Sequence, residues 1–211
     1  MRIACWLSCC LLLIGLAAAP AAWAAAAERP AILVLGDSLS AGYGIKVEQG
    51  WVSLLQRRLD AKGYGYRTVN ASVSGETTGG GLARLPRALE LHRPAIVVIA
   101  LGGNDGLRGL PVGELRGNLE AMIERSRAAG AAVLLAGMRI PTNYGPQYTE
   151  KFFAVYGELA RAEKVALVPF FLEGVALRDD LFQDDGIHPN TEAQPVMLDN
   201  LWPALEPLLR R

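Results

Sequence analysis

Cysteine is nearly absent from this chain: among 211 residues there are only Cys5, Cys9 and Cys10, all close to the N-terminus. Once that segment is removed, the chain has no disulfide, no thiolate nucleophile and no cysteine-bound metal. Histidine is scarcer still. His92 and His188 stand alone, far apart in the chain, and no helix carries a pair of them to grip zinc. Neither sign of charge is in excess, since Lys+Arg and Asp+Glu both total 21, which argues against nucleic acid or an anionic membrane surface as a partner. No Gly-x-x-x-x-Gly-Lys-Ser/Thr run is available to cradle phosphates. No repeat and no biased tract follows the alanine-rich start.

That start reads as an export signal. Arg2 supplies a basic end, residues 11–16 an apolar core, and Ala22-Trp23-Ala24 a small-x-small cleavage site. The expected cut follows Ala24, with Ala26 and Ala27 as neighbouring alternatives. Residues 1–24 are then a signal peptide, residues 25–211 form one domain, and the product is periplasmic or secreted, with no membrane span. Acylation at Cys9 or Cys10 fits poorly, because Trp6-Leu7-Ser8 precede them and they sit too early in the apolar core. In an oxidising compartment the remaining chain relies on its core alone, which its length allows.

Beyond residue 30, short apolar runs alternate with helical patterns. Strands are predicted at 31–35, 64–72, 95–101, 131–138 and 165–170. Helices are predicted over 50–62, from Thr77 or Thr78 to about 91, over 111–129 and over 148–163. The last helix is announced by a capping box at Thr191-x-x-Gln194 and made irregular by Pro195 and Pro203. This β/α alternation predicts a three-layer α/β/α sandwich around a five-stranded parallel sheet.

The chemistry falls at the carboxyl ends of these strands, where open α/β sheets place their ligands. Ser38 follows the first strand in Gly36-Asp37-Ser38-Leu39-Ser40. His188 lies in Asp184-Asp185-Gly186-Ile187-His188-Pro189, where either aspartate could orient the imidazole. His92, by contrast, precedes the third strand and so belongs to the opposite edge. Gly75 offers an unobstructed backbone N–H, and Asn104 in Gly102-Gly103-Asn104-Asp105 offers a side-chain amide; both suit a developing oxyanion. Two loops should border Ser38: Leu107 and Leu110 stand on one, and Tyr144 and Pro146 on the other. With Ile187 they are candidate walls for an acyl chain.

Taken together, the blocks around Gly36-Asp37-Ser38, Gly75, Gly102-Gly103-Asn104-Asp105 and Asp185-Gly186-Ile187-His188-Pro189 resemble those of the SGNH (GDSL) hydrolases, in order and in spacing. The resemblance spans the chain beyond the signal segment. It implies a flavodoxin-like fold with strand order 2-1-3-4-5. Ser38 is then the nucleophile, His188 the base and Asp185 its partner, and the Ser38 N–H joins Gly75 and Asn104 as oxyanion donors. It further implies a cofactor- and metal-free esterase acting on small acyl esters, thioesters or lysophospholipids, of the arylesterase, acyl-CoA thioesterase and lysophospholipase type. A carbohydrate O-deacetylase of the same fold and a non-catalytic flavodoxin-like module are the rival expectations. The sequence departs from the α/β-hydrolase elbow, since Ser40 stands where Gly-x-Ser-x-Gly needs glycine.

Overall fold

The structure, a computed structural model, describes residues 29–210; the predicted signal segment lies outside the described residues. Five strands, β1 (Ala31–Gly36), β2 (Arg67–Asn70), β3 (Ile96–Ala100), β4 (Ala132–Ala136) and β5 (Ala166–Val168), form one parallel sheet in the order β2-β1-β3-β4-β5. β1 and β3 are buried along their whole length. Unbroken Ile/Val/Leu runs of this kind can only sit where both faces of a sheet are covered.

Helices supply the covers. α1 (Ser38–Ala41) is a single turn after β1, and α2 (Trp51–Ala61) buries Trp51, Val52, Leu55 and Leu59 along one stripe. α3 (Thr78–His92), α4 (Gly103–Leu107), α5 (Val112–Ala128), α6 (Pro146–Glu163) and α7 (Ala193–Leu205) complete the set. α2 packs beside α7 on one face, and α3, α5 and α6 pack in succession on the other. Among the described residues, no helix is long and apolar enough to cross a membrane.

The chain runs from β1 outward to β2 and then back across β1 to β3, so the winding direction reverses between β1 and β3. A crevice opens beyond the carboxyl ends of two such strands. Ser38 follows β1 and Asn104 follows β3, which puts both at its lip. His92 ends α3 just before β3 begins, at the far edge of the sheet.

Two local expectations need correction. β2 is confined to Arg67–Asn70, because Tyr64 and Tyr66 turn into the core, where Tyr64 meets Trp202 of α7 at 6.1 Å between ring centroids. The capping box at Thr191-x-x-Gln194 does not form. Instead Asn190 Oδ1 accepts the N–H groups of Glu192 and Ala193. The buried Gln194 side chain serves elsewhere: its Oε1 accepts the Trp51 N–H at the start of α2, and its Nε2 donates to Asn190 O. A residue matching a local capping pattern has been taken up by a long-range one.

Candidate active site

Ser38 is presented by a tight turn. Asp37 caps α1, its Oδ1 accepting the Leu39 N–H at 3.0 Å, and Gly42 closes the turn in the left-handed region. The Ser38 hydroxyl meets His188 Nε2 at 2.9 Å, and His188 Nδ1 meets Asp185 Oδ2 at 2.6 Å. With the Nδ1 proton donated to Asp185, Nε2 is free to accept the serine proton. Asp185 Oδ1 also accepts the backbone N–H groups of Ile187 and His188, each at 2.9 Å. Those bonds, the His188 N–H first among them, hold the carboxyl down at about 2, so it is ionised at neutral pH. Asp184, the competing partner, is exposed and makes no hydrogen bond to His188 among the described residues.

The oxyanion candidates gather on the same cleft. The N–H groups of Ser38 and Gly75 have no partner among the described residues. Gly75 sits at φ +77°, a conformation that a side chain would strain. Asn104 Nδ2 donates to Glu76 O at 3.0 Å and approaches Asp37 Oδ2 at 3.4 Å. Its neighbour Asp105 is buried and accepts both the N–H and the hydroxyl of Thr78, riveting α4 to the start of α3. Arg108 donates to Gly75 O at 2.8 Å and ties the same two segments at the surface. Sequence reasoning misses both Asp105 and Arg108. An Asp one residue after the candidate Asn, with Thr77-Thr78 able to cap a helix, is the signal that points to the first of them.

Residues 34–194 match the GDSL-like lipase/acylhydrolase family. The chain belongs to that family. Esterase TesA of Pseudomonas aeruginosa is 57% identical over 183 residues, covering 87% of this chain and 91% of the relative. Thioesterase 1/protease 1/lysophospholipase L1 of Escherichia coli K12 is 46% identical over 184 residues, covering 87% of each. A crystal structure of TesA superposes with a TM-score of 0.83 at 57% identity, over 85% of this chain and 99% of that one. This GDSL hydrolase is therefore an ester-hydrolysing enzyme of the serine type, and its substrates are small-molecule esters.

The cleft of this GDSL hydrolase encloses about 1120 Å³ beside Ser38, with Leu107, Met138, Ile140, Phe170, Leu177 and Ile187 among its walls. Leu107 and Ile187 stand where the sequence pattern puts them. Leu110, Tyr144 and Pro146 do not line it. The Leu110 segment is drawn away, its carbonyl accepting the Tyr148 hydroxyl; the Tyr144 hydroxyl donates to Leu107 O and braces that loop from outside; Pro146 opens α6. The Phe170–Leu177 side of the cleft follows the short edge strand β5; the block 168–175 shares in the family resemblance, but nothing in its pattern marks these residues as cleft walls.

One buried acid remains. Asp37 is 3% exposed, and burial raises its carboxyl to about 6, opposed most strongly by the Leu39 N–H. An acid that holds its proton more tightly folded than unfolded adds stability below its ordinary value of 3.8 and loses that contribution as pH rises through about 6. Asp37→Asn removes this dependence. Its stability relative to wild type should climb by up to about 3 kcal/mol from pH 4 to pH 7 and then level off, at about 1.4 kcal/mol per pKa unit. Urea denaturation across that range checks it, and a flat difference would show that Asp37 keeps an ordinary carboxyl in the fold.

Proposed function

We propose that this enzyme cleaves acyl esters and thioesters, including aryl esters and lysophospholipids, through an acyl-enzyme on Ser38. The reading rests on the hydrogen-bonded chain Ser38–His188–Asp185. His188 takes the Ser38 proton as Oγ bonds to the acyl carbonyl carbon, then gives that proton to the departing alcohol or thiol. Water, deprotonated by His188, releases the acid and restores Ser38. The Ser38 and Gly75 N–H groups and the Asn104 amide hold the carbonyl oxygen as its charge grows; losing one such donor costs about 100–1,000-fold in rate. A relative named for thioesterase and lysophospholipase activity supports the substrate range. We also propose that the protein is exported, with residues 1–24 removed; N-terminal sequencing of the exported protein should begin at Ala25.

Cleft size favours an acyl chain over an acetyl group. Burying each methylene contributes about 0.8 kcal/mol, or roughly fourfold in kcat/KM per carbon until the cleft is full. Leu107 is 40% exposed at the wall. Leu107→Asp should therefore depress hydrolysis of eight- and twelve-carbon p-nitrophenyl esters at least tenfold more than that of acetate. A fluorophosphonate probe should label the wild type and this variant alike, and fail on Ser38→Ala. Labelling of Ser38→Ala would unseat the nucleophile, whereas an equal fall at all chain lengths would restore the deacetylase alternative.

A further inference from the structure

Tyr43 carries a ring that the chemistry above leaves unused. Its backbone N–H donates to Ser38 O at 3.2 Å in the turn after α1, so it belongs to the nucleophile's own segment. The ring lies against the His188 imidazole, with centroids 4.4 Å apart and planes inclined by 36°. Yet Tyr43 is 52% exposed, so core packing does not explain a tyrosine there. Its hydroxyl makes no hydrogen bond among the described residues, which leaves the ring face as its one specific contact.

The contact is held from behind by a single side chain. Gln183 Nε2 donates to Tyr43 O at 2.8 Å and to Pro189 O at 3.1 Å, while the Gln183 N–H donates to His188 O at 2.8 Å. Gly44, at φ +75°, makes room for this clasp: a Cβ there would run into the Gln183 amide. The segment bearing Ser38 and the loop bearing His188 are thus fastened to each other, and the two tilted rings lie at the seam.

We propose that Tyr43 is a positioning residue for His188, acting through its ring face. As the base, the imidazole becomes positively charged whenever it takes a proton, from Ser38 in acylation or from water in deacylation. The face of an aromatic ring carries negative potential and attracts that cation more than the neutral ring. The contact therefore strengthens on the way to each transition state, and an interaction of this kind raises kcat while leaving substrate binding alone. It also closes one side of the imidazole against rotation away from Ser38.

The proposal rests on His188 being the base, so His188→Ala is measured beside Tyr43→Phe and Tyr43→Leu, with p-nitrophenyl butyrate as substrate. Tyr43→Leu should lose about fivefold in kcat, the size of a ring–cation contact at a half-exposed site, with KM within about twofold and an unchanged melting temperature. Tyr43→Phe, which keeps the ring, should restore wild-type turnover. Should the leucine variant melt early, Tyr43→Gln carries the same expectation. Tyr43 also lines the cleft, so a raised KM with full kcat would mean that its ring serves substrate binding alone and would overturn the proposal, as would a phenylalanine variant as slow as leucine. Wild-type turnover by His188→Ala would instead overturn the assignment of the base itself.

Discussion

His188→Ala should lose about a millionfold in kcat on any ester substrate, while His92→Ala should keep nearly full activity. The first figure is what removing the base costs a Ser-His-Asp enzyme, because an unassisted serine hydroxyl is a very weak nucleophile. Of the two histidines, both among the described residues, His188 alone hydrogen-bonds the Ser38 hydroxyl, at 2.9 Å. His92 ends α3 near the amino ends of the strands, half-buried beside Arg87, Glu90, Leu91 and Arg93, in a shallow hollow of about 330 Å³. Neither change should unfold the protein, since neither histidine belongs to the apolar core. Circular dichroism and initial rates on p-nitrophenyl butyrate, taken on both variants, check the pair. Comparable losses at the two positions would mean that the chemistry is not at the carboxyl edge of the sheet.

The contrast between the two histidines is legible in the amino-acid sequence, because strand positions and edges follow from apolar runs that read the same way in isolation and in the fold. β1 and β3 need only their uninterrupted Ile, Val and Leu, and the residues just past them can then be set on one edge. Ser38, Gly75, Asn104 and His188 are legible for that reason: each sits within a few residues of an element end, and each has a functional group that geometry at an edge can use. What escapes is decided by distant partners. Gln194 matches a cap for its own helix and instead caps α2, 143 positions away in the chain. Leu110 has the character of a cleft wall, but the Tyr148 hydroxyl holds its carbonyl on the far side of the loop. Tyr43 carries no motif at all. Its place over His188 depends on Gln183 bridging two segments that the sequence sets 140 positions apart. Periodicity reports which face a residue turns to the core; it is silent about which of several polar partners a loop finally chooses.

The two adjacent aspartates test that last point, and Asp185→Asn should lower kcat/KM by about 10,000-fold, the loss seen when the acid of a serine protease triad becomes an amide. The geometry gives the reason. Asp185 Oδ1 accepts two backbone N–H groups, so an asparagine placed here keeps its carbonyl oxygen on that side and turns its Nδ2 toward His188 Nδ1. An N–H facing Nδ1 requires the tautomer with its proton on Nε2, and such a ring cannot accept the Ser38 proton. The carboxylate itself stays ionised down to about pH 2, so across the working range of pH its protonation never mimics the substitution. Asp184 has no such role: it is exposed, and no bond joins it to His188 among the described residues. Asp184→Asn should therefore change kcat/KM by less than about twofold. Steady-state rates of the two variants at pH 8, with unchanged melting temperatures, decide between them. A larger loss at Asp184 would mean that the loop rearranges when substrate arrives and exchanges one carboxylate for the other. Equal, small losses would mean that the short Asp185–His188 contact holds the loop in place and does not set the tautomer.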